Sequence, residues 1–191
     1  MKYILSILSL FFLACAPYPF VYNEMKSNGH ITQIAPIYIE DTWNDTDRAR
    51  LHSAIDQWNQ ALNGELILQV ENEHYHYTDN APQNKLLLLQ ISEEKANKHE
   101  QYISLAWTHG RSTTGVGGNR IYFVRTRINN DDLRYVALHE LGHALGSDHI
   151  NYKGLMSAIY NKEDYLCIDQ LVLLQIARYH HLSIEHLRAC H

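Results

Sequence analysis

Long apolar runs are the first thing this chain lacks. The most apolar stretch, residues 3–14, is twelve residues long, too short to span a bilayer comfortably, so it reads as an address and not as a membrane span. An excess of positive charge is missing too. Sixteen Lys and Arg against twenty-one Asp and Glu give a formal net charge of −5, which removes the electrostatic case for nucleic acid as a partner. Cysteine is scarce, with three in 191 residues, so any pairing has few candidates. No internal repeat or low-complexity run appears. What remains is 46 % hydrophobic and 19 % charged, an ordinary globular composition that excludes wholesale disorder; the length predicts one domain, and a monomer is expected. Thirteen tyrosines follow no pattern that the sequence explains.

Residues 1–15 read as an export signal, with Lys2 ahead of the apolar run. Phe12-Leu13-Ala14-Cys15 resembles a bacterial lipobox, in which the cysteine is lipidated and becomes the new N-terminus; Phe12 stands where Leu is usual. The alternative is a small-residue cleavage site at Ala14-Cys15-Ala16 that releases a soluble chain, with Pro17 unfavourable just after the cut. The lipoprotein reading is preferred, with a lipid on Cys15 as the sole membrane attachment, at the outer membrane or cell surface. The alternative gives a soluble periplasmic or secreted protein. Both readings export the chain. Residues 16–30 read as a tether and 31–191 as the folded domain. Outside the cytoplasm, Cys167 and Cys190 are the remaining pair, and we expect a disulfide between them, contributing about 3 kcal/mol by loop closure.

Residues 34–40 alternate as a strand, and Leu51, Ile55, Trp58 and Leu62 then recur at helical spacing up to Gly64. Residues 65–71 form a second strand, so a right-handed crossover between parallel strands is expected. Further strands are predicted at 85–92, 102–108 and 119–125, with 93–100 a charged surface loop. Asn130-Asp131-Asp132 offers caps for the next helix. A closing helix is expected over 164–180, with Leu173 and Ala177 on its buried side and His180, His181, His186 and His191 at the surface.

That next helix carries His139-Glu140-Leu141-Gly142-His143-Ala144-Leu145-Gly146-Ser147-Asp148-His149. Histidines four apart on a helix sit on one face, about 6 Å apart along the axis, where both imidazoles can grip one cation. Gly146 can take the left-handed conformation that ends a helix, bringing His149 back as a third ligand. Three neutral imidazoles leave a tetrahedral ion with an open position, the mark of a catalytic site. Glu140, next to the first ligand, can take a proton from water at that position.

His-Glu-x-x-His-x-x-Gly-x-x-His is the metzincin signature, and this segment resembles it at every defined position. Met156 in Gly154-Leu155-Met156-Ser157 is similar to the family's Met-turn, and Asp169 and Tyr179 resemble positions of the matrixin C-terminal helix. The resemblance, to a matrixin-like, exported bacterial metzincin, implies an α+β fold. It comprises a five-stranded mixed twisted sheet with a backing helix, an active-site helix and a small, mostly irregular C-terminal part ending in a helix. It implies one catalytic zinc ion on His139, His143 and His149, Glu140 as general base, and a protein or peptide substrate. Leu105 and Ala106 resemble the edge-strand segment that pairs with substrate, and Tyr160 is a candidate for stabilising the oxyanion or approaching the metal. Ile150 and Ser147 depart from the family's subgroup patterns, and no Pro-Arg-Cys-Gly-like blocking segment occurs. The alternatives are an exported zinc-binding protein without catalysis and a zinc hydrolase of non-peptide substrates.

Overall fold

The strand–helix–strand unit near the N-terminus sets the frame. In the computed structural model, which describes residues 23–27, 30–78, 82, 85–99, 101, 103–109, 119–159 and 167–190, β2 (His30–Glu40), α1 (Asp45–Leu62) and β3 (Leu66–Tyr75) form this unit. The two strands run parallel in adjacent positions. Asn44 caps α1 by accepting from the Asp47 amide at 2.9 Å. Leu51, Ala54, Ile55, Trp58 and Leu62 bury its inner face. Asn63, and not Gly64, takes the left-handed cap, at φ 48°, with Gly64 continuing the turn at φ +84°.

Strand β4 (Leu86–Gln90) lies parallel to β2 and to β6 (Arg120–Phe123), and β5 (Ala106–His109) closes that side antiparallel to β6. The five strands expected from the sequence are thus one mixed sheet. A sixth, β1 (Asn23–Ser27), pairs antiparallel with the start of β2, within the stretch read as a tether. Residues 93–98, expected as loop, form a short helix, α2 (Glu93–Lys98). Ser92 caps it, and Glu94 and Lys98 pair at 2.7 Å across one turn.

The four leucines of β4 divide by the two-residue period of a strand. Leu86 and Leu88 join the main core under α1 and the second long helix, α3 (Leu133–Ala144), while Leu87 and Leu89 face the other side of the sheet. There they are covered by Tyr38, Tyr75, Tyr77 and Tyr122, which accounts for four of the tyrosines. The run of four leucines therefore reflects burial on both faces, as parallel strands require.

One contact ties α3 to this frame, and a second ties α1 to the segment after β6. The Trp58 indole donates to the Leu138 carbonyl at 2.9 Å. Arg125, just past β6, grips buried Asp47 of α1 with Nε and Nη2 at 2.7 and 3.1 Å. Burial pushes the Asp47 carboxyl up, but Arg125, Arg50 and Asn44 together hold it below the usual carboxylate range. After α3 the described residues form no regular element until the closing helix α4 (Gln170–His180), which Asp169 caps. Cys167 and Cys190 are joined as a disulfide with Cα atoms 6.1 Å apart. Among the described residues no helix is long and apolar enough to cross a membrane.

Candidate metal centre

His139 and His143 project from one face of α3, as their spacing requires, and the helix then ends in a Schellman turn. The Gly146 amide donates to the His143 carbonyl at 3.0 Å and the Ser147 amide to the Gly142 carbonyl at 2.9 Å. Gly146 holds φ +95°, and a Cβ there would fall 2.4 Å from Cγ of Tyr179. Two constraints therefore select glycine: backbone conformation and the Tyr179 ring.

The turn beyond is held by α4. Gln175 accepts from the Ser147 hydroxyl at 2.8 Å and from the Asp148 amide at 2.9 Å. His180 Nε2 donates to the Leu145 carbonyl at 3.0 Å. His180, expected at the surface, is only 1 % exposed; its ring packs edge-on to Tyr179 behind the metal turn. A lone histidine in a helix gives no sequence sign of burial, so this partner was not legible. Gln175 likewise sits in a helix pattern without any signal of its role.

This scaffold brings the third histidine to the other two. Nε2 of His143 lies 3.1 Å from Nε2 of both His139 and His149. The other nitrogens fix the tautomers. Nδ1 of His139 donates to the Leu155 carbonyl at 2.6 Å, and Nδ1 of His143 donates to the Ser147 carbonyl at 2.9 Å. Both Nε2 atoms thus present lone pairs, and neutral lone pairs at this separation repel unless a cation lies between them. Tetrahedral nitrogens about 2.0–2.1 Å from zinc would lie roughly 3.3 Å apart, so the spacing fits the metal. Burial lowers the His143 imidazole to about 4, helped by the nearby His139 charge and opposed by the Ser147 carbonyl. Burial likewise lowers His139. Both are neutral near pH 7, the form that binds metal.

Glu140 is buried beside the pair, and burial raises its carboxyl to about 7 against the opposing pull of hydrogen bonds from the Thr108 side chain and backbone. Thr108, on β5, donates to Glu140 Oε2 at 2.8 Å. Sequence reading passed it over because only the sheet brings β5 across α3. A carboxyl poised near neutrality can accept and return a proton.

A cleft of about 670 Å³ opens over the three imidazoles between β5, α3 and the segment through Ile159. Leu105 and Ala106 line it, and β5 is the last strand of the sheet on that side. Two exposed isoleucines, Ile103 and Ile159, lie at its rim. Met156 is buried beneath α3, where a Cβ on Gly142 would come within 2.5 Å of its sulfur. Its carbonyl accepts from the Ile150 amide at 2.9 Å, closing the loop after His149. Tyr160 and Cys15 lie outside the described residues.

A search of curated proteins returns no match. A family model described as matrixin matches residues 40–171, from the end of β2 to the first turn of α4. With well over half its length covered, the metal centre included, the chain belongs to the matrixin family.

Proposed function

We propose that this protein is a zinc-dependent endopeptidase that hydrolyses peptide bonds in proteins, with Glu140 as its general base. The observation that carries this reading is the convergence of the three Nε2 atoms, two of them with fixed lone pairs, beside a buried carboxyl. His139, His143 and His149 would hold the ion. Bound there, zinc supplies Lewis acidity toward the scissile carbonyl and makes the attacking water more acidic. Glu140 takes the water's proton at a carboxylate oxygen as the water oxygen bonds to the carbonyl carbon. It then delivers that proton to the amine nitrogen as the carbon–nitrogen bond breaks. β5 is the last strand of the sheet on its side, and its outer edge at Ala106 would offer backbone groups to an extended peptide, which favours a protein substrate over a small ester. Leu105, just before the strand, lines the same cleft and gives its carbonyl to the Val124 amide. We also take the protein to be exported and anchored through a lipid on Cys15; the Cys167–Cys190 disulfide supports an oxidising compartment.

Digestion of a peptide library by the zinc-loaded protein tests the activity, and Glu140→Ala tests the role. The variant is expected to lose at least a hundredfold in kcat while zinc content stays at about one per chain. Cleavage retained by Glu140→Ala would falsify the base assignment. A zinc-replete wild type that cuts nothing in the library would instead indicate a binding protein.

A further inference from the structure

Strand β5 does more than border the cleft. Ala106 and Thr108 share one of its faces, while Trp107 points to the other, where its ring lies 5.3 Å from that of Tyr122. With Trp107 seated on Tyr122, and Thr108 paired with Ile121 of β6, the strand cannot roll. Its other face is thereby directed at α3, and the Thr108 hydroxyl has two Glu140 acceptors within reach of its one proton, Oε2 at 2.8 Å, the shorter, and the backbone carbonyl at 3.0 Å. The Glu140 side chain is otherwise enclosed, only 5 % exposed, on a helix whose neighbouring side chains point to the core or to the ion site. A glutamate has three side-chain torsions, and helix geometry restricts the first far more than the last. Something outside the helix has to set the plane of the carboxylate.

Building on the peptidase reading, we infer that Thr108 is a positioning residue: its hydroxyl, donating to Oε2 of Glu140, sets the plane of the carboxylate that exchanges the proton. Because Thr108 belongs to the strand whose free edge would take up the substrate backbone, one rigid element registers the peptide and orients the base together. The cleft and the base therefore cannot drift apart, which matters because misplacement by about 1 Å can cost on the order of a hundredfold in rate.

The test compares Thr108→Val, which keeps the shape but removes the hydroxyl, with Thr108→Ser, which keeps the hydroxyl but removes the methyl. Each is prepared as the zinc-loaded full-length protein and measured on the best library peptide. Thr108→Val is expected to lose roughly tenfold in kcat with KM within about twofold, and Thr108→Ser to recover kcat to within about threefold of wild type. A crystal structure of Thr108→Val supplies a reading independent of activity: the Glu140 carboxylate is expected to have left its wild-type rotamer. The inference is overturned if the carboxylate stays in place without the hydroxyl, or if serine loses as much as valine, since packing of the methyl would then explain the loss. Should wild type prove inactive on every peptide, the peptidase reading fails. The rotamer in Thr108→Val then decides the positioning role alone.

Discussion

The helix that carries His139 and His143 and the turn that carries His149 are held by different physics. The helix is a regular element seated on the main core, with Leu133, Val136, Ala137 and Leu141 packed inward and Trp58 bonded to its backbone. Its two ligands follow from the helical repeat alone. The turn has no repeat to rely on. It is held by a glycine in an unusual conformation, by polar side chains of α4 on its backbone, and by a disulfide that fastens the segment leading into α4. Burial stabilises the first two ligands broadly, through many small contacts. A few specific contacts support the third, and each is a point at which the site can be broken.

The sharpest break is Gly146→Val. A branched side chain at positive φ that also meets the Tyr179 ring should cost about 4 kcal/mol, adding backbone strain to overpacking. Urea unfolding reads that loss, and zinc titration should show weaker binding even under conditions where the protein stays folded. Wild-type affinity in this variant would mean that the turn tolerates rearrangement.

Reducing Cys167–Cys190 should cost about 3 kcal/mol on the loop-closure account, and the loss should be local. Hydrogen exchange is the measurement: amides of α4 should lose protection well before those of α3 and the sheet. Equal loss in both regions would erase the distinction between them.

Acid gives the smallest effect. Burial lowers His180 to about 4, assisted by the His181 charge and opposed by its bond to the Leu145 carbonyl. Its folded value lies below its unfolded one, near 6.5, so between those values the unfolded chain binds more protons. The stability contribution is therefore complete above about pH 6.5 and declines as pH falls toward 4, by about 2 kcal/mol at pH 5. In the metal-free protein His139 and His143, also lowered, act in the same direction. The comparison is thus wild type against His180→Gln, which should have the shallower pH slope. Parallel slopes would contradict the assigned burial.

Much of the architecture was legible because it is periodic. The stripe of α1, the histidine pair and the glycine after it all repeat or punctuate at fixed intervals. The crossover and the order of the later strands followed from those intervals. Elements without an apolar period were missed. Helix α2 buries only Ala96 and is signalled by its Ser92 cap and its charges alone, and β1 gains its partner by pairing with β2. The parts of the site that escaped notice, Thr108, Gln175 and His180, act across distances of 27 to 35 residues in the chain. No local pattern marks a hydroxyl or an amide that will meet a backbone from another element. The sequence announces which groups would do the proposed chemistry; what aims them depends on the assembled fold.

The dependence of His149 on α4 orders the birth of the site in time. During synthesis the pair on α3 leaves the ribosome ahead of Gln175 and His180, the groups that steady its third member. A nascent or shortened chain would own two imidazoles and a loose end, able to scavenge an ion weakly but not to seat it. The three-imidazole geometry arrives only with α4, so a site able to seat an ion is withheld until that helix has been made.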